Sequence, residues 1–538
     1  MLNFKTIKYL FLIFGLPILL AFLSEIIFKI VAIARVCNFI ENILFALILV
    51  LLVSMVSNKS TRKVLLIFGA LIFNICLLFE TFYFLKFNST LSASSIFVVL
   101  ESNEVEIREF LSLHFDLKTK LLTIFLLTMI FVGILKIVNK PRFNLDAAKD
   151  KSLKVDTIIL GLLFLKYTQL IVFNVPYLIL KTPITYIQEM KKFESYGSNN
   201  KYSDFKNVKH NDTLNKNELY VIVIGESTNR KHFSLNHNYY RETTPQLNEI
   251  KNELYVFNQV ISSHTYTLGA LPKALTLGNY EYPEGKYKGS IVQLFNQANF
   301  KTYWISNQKP IGMMDTQITK IGMGAHKSFF LNANHAKEST PYDNLVLSTM
   351  DDVLHEEGNK KVVFLHILGT HLNYRNRFPK KDEYFKDKPK TQFKTEIAYN
   401  TINDYDNAVR YQDKILRQII EKVKVIPSFS SYVLYFSDHG QEVYDDINFS
   451  GHTIDEQITR NMYEVPMFVW LSNKYCLKTS LDFRVNSKYM TDDLFHAIAD
   501  LSNISSNETD STRSIFNVAF KERKRIIKDT IDYDAYFN

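Results

Sequence analysis

Cysteine is scarce in this chain: three residues among 538, at positions 37, 76 and 476. Cys37 and Cys76 lie inside apolar runs, which leaves Cys476 alone in the polar part. That part can therefore build neither a disulfide framework nor a cysteine-based zinc site, and cysteine usage does not identify the compartment. A concentrated basic face is missing too. The formal net charge is +9, but Lys and Arg are spread along the sequence, which argues against nucleic-acid binding. No repeat of 20–50 residues and no low-complexity segment stands out.

Long apolar runs, by contrast, are abundant, and they are confined to the first third. A chain of 538 residues exceeds one ordinary domain, so two or more units are expected. Five stretches, 10–31, 38–56, 64–85, 121–138 and 158–180, are long and apolar enough to span a bilayer, which takes about 20 residues of helix. The first is too long for a cleaved signal peptide and is followed by further spans. Lys5 and Lys8 precede it; Lys59, Arg62 and Lys63 separate the second and third; Lys136, Lys140, Arg142, Lys149, Lys151 and Lys154 cluster between the fourth and fifth. The loop after the third is acidic, with Glu101, Glu104, Glu106 and Glu109 against Arg108. Positive loops stay in the cytoplasm, so the N-terminus is inside and five spans deliver everything after residue 180 to the outside, the periplasmic side.

The expected organisation is a transmembrane domain over 1–180, a connector over 181–217 and a periplasmic α/β domain over 218–538. In the connector, Ile184, Ile187, Met190 and Phe193 recur at helical spacing beside Lys191 and Lys192, which suits a helix on the membrane surface or one packed on the soluble domain. Residues 198–217 are rich in Asn, Lys, Ser and Asp and read as a linker. Beyond them, apolar runs at 220–224, 255–260, 302–305, 362–367, 432–436 and 467–471 alternate with amphipathic segments such as 395–423. That alternation predicts a mostly parallel central sheet flanked by helices, with reactive groups at the C-terminal ends of its strands.

The unusual residues fall at those ends. Glu226 follows the first run in VIVIGESTNR, placed to bind a cation, although a helix cap or an ion pair is the plainer role. Asp438 and His439, in SYVLYFSDHGQE, supply an oxygen and a nitrogen ligand, a common zinc pairing, where a loop with an Asx turn is the alternative. In ISSHTYTLGALPKALT the hydroxyls of Ser262, Ser263, Thr265 and Thr267 precede a helix start, where they can cap the helix or face a phosphate. His371 and His452 each follow a glycine in a polar loop, whereas His366 lies inside an apolar run and reads as a core residue.

Taken in order, these motifs resemble the bacterial lipopolysaccharide phosphoethanolamine transferases, membrane-anchored members of the alkaline phosphatase and sulfatase superfamily. The resemblance runs over almost the whole chain: five spans, GES with Arg230 after it, YYRETTPQL at 239–247, the threonine turn at Thr267, WISNQ at 304–308, LGTH ending at His371, SDHG at 437–440, and Gly451-His452. It implies that Glu226, Thr267, Asp438 and His439 hold one tightly bound zinc, with Thr267 as the nucleophile. His371 and His452 would contact the phosphoryl group or a second zinc, and Asn307 would lie near the substrate. The donor implied is phosphatidylethanolamine, and the acceptor lipopolysaccharide or lipooligosaccharide. Two departures bear on the acceptor. Lipid A-modifying members carry disulfides in the soluble domain, which this chain cannot form, and their nucleophile turn commonly reads CGTxTAxSxP, unlike SSHTYTLGALPKALT. Both favour inner-core heptose over lipid A. A sulfatase would need a C/S-x-P-x-R motif, which is missing; a phosphoglycerol transferase and a non-catalytic membrane scaffold are the alternatives. Membrane lipids are the expected surroundings, nucleic acid is not an expected partner, and a monomer is expected.

Overall fold

A computed structural model describes residues 4–28, 33–87, 96, 108, 117–138, 151–168, 170, 175–192, 201–211, 217–235, 239–308, 317–332, 342–452, 457–476 and 482–538. The loop charges Glu101, Glu104, Glu106, Glu109, Lys140, Arg142 and Lys149, and residues 193–200 and 212–216 of the connector, lie outside them. The chain divides into two compact units, one built mainly from residues 1–100 and 111–187, the other from 188–454 and 458–538.

The first unit is helical. Its elements include α1 (Leu16–Phe28), α2 (Ile33–Ser54), α3 (Lys59–Phe87), α4 (Leu117–Val138), α5 (Lys151–Tyr167) and α6 (Val175–Lys192). Among the described residues, three helical stretches, Ile7–Ile26, Arg35–Ser54 and Lys59–Leu85, are long and apolar enough to cross a membrane, and Thr119–Leu135 is a shorter apolar one. The three long stretches coincide with the first three of the five expected spans. Within the fifth predicted stretch, 158–180, α5 ends at Tyr167 and α6 begins at Val175, with Pro176 in its first turn, where the missing N–H leaves no hydrogen bond unmade. Helix α6 then runs through residue 180 and the connector's first turns, with Pro183 inside it.

The second unit is built on a seven-stranded sheet: β1 (Glu218–Gly225), β2 (Leu254–Phe257), β3 (Lys301–Ser306), β4 (Lys327–Phe330), β5 (Lys360–His366), β6 (Ser430–Ser437) and β7 (Met467–Leu471), in the order β2-β7-β6-β1-β5-β3-β4. The pairs β6–β1, β1–β5, β5–β3 and β3–β4 are parallel. The pairs β7–β6 and β7–β2 are antiparallel, so the sheet is mixed, with the antiparallel pairings gathered at one edge. Every residue of β1 is buried, and its side chains alternate between two cores. Tyr220, Ile222 and Ile224 enter one, and Leu219, Val221 and Val223 the other. A strand covered on both faces must be apolar throughout, which is why YVIVI shows no alternation.

Register decides where chemistry can happen. Ile224 lies opposite both Phe436 and His366, Gly225 opposite Ser437, and Ser306 opposite His366. Four neighbouring strands therefore end at one level, and the residues just beyond them share one rim. The helices that complete this unit include α7 (Thr267–Ala274), α8 (Ile291–Gln297), α9 (Leu345–His355) and α10 (Glu396–Lys424). Helix α8 opens with a capping box between Ser290 and Gln293, and Thr395 caps α10 by accepting from the Ala398 N–H at 3.2 Å.

Candidate metal centre and nucleophile

Glu226 leaves β1 buried, 1% exposed, and its backbone bends at once: Ser227 adopts a left-handed conformation with φ 61°. Gly225 has no room for a side chain, since a Cβ there would stand 2.7 Å from the Tyr435 hydroxyl oxygen. The turn is tied down from the neighbouring strand, the Ser227 N–H donating to Asp438 Oδ1 at 2.9 Å and the Thr228 N–H to Ser437 Oγ at 2.9 Å. Strands β1 and β6 thereby fix their two acids against each other.

The Glu226 carboxylate is the centre of the arrangement. It accepts from Thr267 Oγ1 at 3.1 and 3.2 Å, from Ser227 Oγ at 2.9 Å and from Gln308 Nε2 at 3.4 Å. His439 Nε2 lies 3.3 Å from Glu226 Oε1 and 3.5 Å from Asp438 Oδ2. The other ring nitrogen, Nδ1, faces the Gly440 carbonyl at 2.9 Å. A carbonyl only accepts, so Nδ1 carries a proton, and Nε2, facing the two carboxylates, is the nitrogen that would ligate a metal once it gives up its own proton. Ligand atoms of Glu226, Asp438 and His439 come within 4.8 Å of one another, and all three residues are buried.

The electrostatics favour a cation in their midst. Burial pushes the Asp438 carboxyl up to about 6, with the Glu226 charge adding to the effect. Burial pulls His439 down, but the Asp438 and Glu226 carboxylates outweigh it and hold the imidazole at about 9. Asp438 Oδ2 is buried and accepts no hydrogen bond. Two carboxylates crowded into a dry site with one oxygen unsatisfied are costly by themselves and fit a divalent ion with oxygen and nitrogen ligands.

Thr267 is the first residue of α7, and no side chain caps that helix. Of the four hydroxyls in the turn, Ser262 donates to the His264 carbonyl at 2.6 Å and Ser263 lies 3.3 Å from His264 Nδ1, whereas that of half-exposed Thr267 meets Glu226. Capping and Thr267 are thus separated, which spacing alone could not do.

The histidines converge on the same rim. His371 follows β5, its N–H donating to the Leu368 carbonyl at 3.0 Å. Burial, reinforced by the Arg377 guanidinium and then by His439, pushes it down to about 3. The His452 ring stands edge-on to His439 with centroids 4.8 Å apart, and burial followed by the charges of His439 and His371 holds it well below the ordinary value. Both rings are thus kept neutral near pH 7. His366 is 4% exposed beside Trp304, as a core residue would be.

Asn307 stands at the end of β3, fully buried, its N–H bonded to the His366 carbonyl at 2.9 Å and its amide donating to Asp343 Oδ1 at 2.9 Å. Asp343 also accepts from the Leu368 N–H at 2.8 Å and the Gly369 N–H at 2.9 Å. It therefore ties Asn307 to the loop that presents His371. Sequence reading missed it, since a lone Asp before a helix carries no signal of its partners. It also missed Gln308, a neighbour of Asn307 in WISNQ whose amide reaches Glu226.

The sulfatase family profile matches residues 218–504. The phosphoethanolamine transferase EptC of Escherichia coli K12 is 31% identical over 485 residues, covering 84% of this chain and 83% of that protein. The crystal structure of the C-terminal periplasmic domain of Escherichia coli EptC in complex with Zn matches with TM-score 0.59 and 34% identity, over 62% of this chain and 97% of that one. The integral membrane lipooligosaccharide phosphoethanolamine transferase A of Neisseria meningitidis matches in fold, with TM-score 0.71 and 20% identity, over 94% of this chain and 98% of that one. With its sulfatase-type domain and this likeness over most of its length, the chain belongs to the phosphoethanolamine transferase family.

Proposed function

We propose that this protein moves phosphoethanolamine from phosphatidylethanolamine to lipopolysaccharide or lipooligosaccharide through a covalent adduct on Thr267. The observation that carries the reading is the Thr267 hydroxyl held on the Glu226 carboxylate, in the same buried cluster as Asp438 and His439. Those four residues would hold zinc, which when bound supplies positive charge that lowers the pKa of a coordinated hydroxyl and offsets charge on phosphoryl oxygens. The related domain crystallised with Zn supports that metal. A second ion near His371 and His452 belongs to the same proposal.

The residues divide the work. Glu226 accepts the Thr267 hydrogen bond and so aims an Oγ lone pair away from itself. Attack by that oxygen forms the Thr267–phosphorus bond and breaks the bond from phosphorus to the glycerol oxygen, and the proton lost by Thr267 ends on the departing diacylglycerol. In the second half a sugar hydroxyl attacks phosphorus, a neutral His371 or His452 takes its proton, the bond from phosphorus to Thr267 Oγ breaks, and the proton passes from the imidazolium to Oγ, restoring both groups. Imidazoles kept neutral by burial suit that role as base. Asn307, held by Asp343, would border the substrate. A heptose of the inner core is the acceptor favoured, since the nucleophile turn lacks the lipid A-type pattern and the soluble unit has no disulfides to form.

The protein would sit in the bacterial inner membrane as a monomer, its first 180 residues in the bilayer, 181–217 as connector and 218–538 in the periplasm. There donor and acceptor share a leaflet with the anchor, which raises their effective concentration. The test is mass spectrometry. Purified protein incubated with phosphatidylethanolamine should gain one phosphoethanolamine, mapped to Thr267, and glycolipid from cells with the gene should carry the group on core heptose. An adduct on Thr265 would overturn the nucleophile; modified lipid A with bare core would overturn the acceptor.

A further inference from the structure

Residues 379–395, PKKDEYFKDKPKTQFKT, hold six lysines against three acids. All six lysines, Lys380, Lys381, Lys386, Lys388, Lys390 and Lys394, are exposed. The acids are spent elsewhere. Asp382 pairs with Lys414 at 2.9 Å, Glu383 with Arg375 at 3.3 Å, and Asp387 with Arg241 at 3.1 Å. Each acid within the segment thus has an ion-pair partner from outside it, Arg241 being shared with Asp406. Among the described residues, none of the six ammonium groups is ion-paired; Lys388 and Lys390 only lie over the rings of Tyr399 and Tyr240.

The backbone beneath these lysines is pinned. Asn407 Oδ1 accepts from the N–H groups of Tyr384 and Phe385, both at 2.8 Å. Asn407 Nδ2 donates to the Phe385 carbonyl at 3.0 Å, and Asn403 Nδ2 to that of Asp387 at 3.0 Å. The Lys390 N–H donates to the Tyr240 hydroxyl at 2.9 Å. Free charges on a fixed track can be shared by a ligand without the cost of ordering the chain.

The track also touches the rim of the site. Thr391 Oγ1 donates to the Tyr444 carbonyl at 2.9 Å, and Gln392 Nε2 to those of Asp445 and Asp446 at 3.3 and 3.4 Å. Residues 444–446 join the strands Glu442–Val443 and Ser450–Gly451 of the short hairpin that leads directly into His452.

We propose that this lysine track is the docking surface for the acceptor, binding it as a polyanionic saccharide through sugar-borne phosphates and carboxylates. The inference rests on the glycolipid reading above. A bilayer is the poorer occupant, because Phe385 is buried and Phe393 half-buried, so the segment offers no phenylalanine for insertion. Tyr384 is instead 63% exposed, with one face under the Arg410 guanidinium at 4.0 Å, and its ring suits a sugar.

The test uses the full chain and its Lys386→Gln, Lys388→Gln, Lys390→Gln, Lys394→Gln variant. Expected are a rise of about tenfold in KM for purified glycolipid and a flatter salt dependence of kcat/KM, with unchanged adduct formation on Thr267 from phosphatidylethanolamine alone. An unchanged KM, or an equal slowing of adduct formation, overturns the proposal. So does a variant that loses only its affinity for vesicles of anionic phospholipid. Titration of deacylated core oligosaccharide at low salt separates this from failure of the functional reading: weaker binding by the variant supports the track even if no transfer is seen, and equal binding sinks it.

Discussion

The two units bury their charges in opposite ways. In the helical unit Arg35, 2% exposed, pairs with Glu25 at 3.4 Å and stacks over Phe84 at 3.9 Å, while Glu80 accepts from Asn42 at 3.2 Å. Those charges find their partners within the bundle. In the sulfatase-type unit Glu226 and Asp438 are driven together with His439 as their only close cationic partner among the described residues. The first arrangement sets opposite charges against each other, with Arg35 Nη2 left without a hydrogen bond, and reads as a fastening between helices. The second is electrostatically unfinished and reads as a place for something to bind. Burial alone therefore does not mark a functional charge; burial without compensation does.

Breaking the unfinished site should have the largest effect. Asp438→Asn is expected to lower zinc affinity by about 100-fold or more, beyond what changes to outer partners of metal ligands produce, with transfer falling in step. Elemental analysis of the purified variant checks this, and full occupancy would remove Asp438 from the ligand set. Next comes the Arg35–Glu25 pair: Glu25→Gln removes the ion-pair partner of Arg35, leaving Glu80 as its nearby acid, and should destabilise the helical unit by about 1–3 kcal/mol, read as a fall in melting temperature in detergent. Equal melting of variant and wild type would mean that Glu80 alone compensates the Arg35 charge.

A third case lies between them. His232, 1% exposed, sits between Asp406 at 2.6 Å and Asp445 at 3.1 Å. Burial works against its charge, but the two carboxylates win and raise it to about 10. Since the folded value lies above the unfolded value near 6.5, this stabilisation is complete below about 6.5 and disappears as pH rises through about 10. The gap in stability between wild type and His232→Gln should therefore narrow between pH 7 and 10, as followed by denaturant melts; a constant gap would show that packing, and not charge, sets it. The smallest effect is the reverse of an ordinary core lesion. In metal-free protein Glu226→Gln removes one of two crowded carboxylates, so it should melt no lower than wild type and up to about 4 °C higher. A clear drop would mean that the two acids are already compensated.

Much of this was legible in the sequence because it is local. A strand buried on both faces must be continuously apolar, so YVIVI and YVLYF announced themselves. A polar residue directly after such a run must emerge at a strand end, which singled out Glu226, Asp438 and His439. What failed is equally instructive. Hydropathy read residues 158–180 as one stretch, where α5 ends at Tyr167 and α6 begins at Val175, because a window average does not see helix boundaries. The antiparallel edge was missed because a buried strand looks alike in either direction.

The sequence by itself determined which residue types stand at the strand ends and that an apolar helical part precedes an α/β part, since periodicity and composition are properties of neighbours along the chain. Only the tertiary structure decided which hydroxyl of the turn meets Glu226, which nitrogen of His439 faces the carboxylates, that Asp343 joins Asn307 to the His371 loop, and that the lysines of 379–395 are left unpaired while their own acids are taken by Arg241, Arg375 and Lys414. Most of these depend on contacts between residues far apart in the chain, 41 positions for Glu226 and Thr267 and 36 for Asn307 and Asp343, and such contacts follow from the register of the strands rather than from any local pattern.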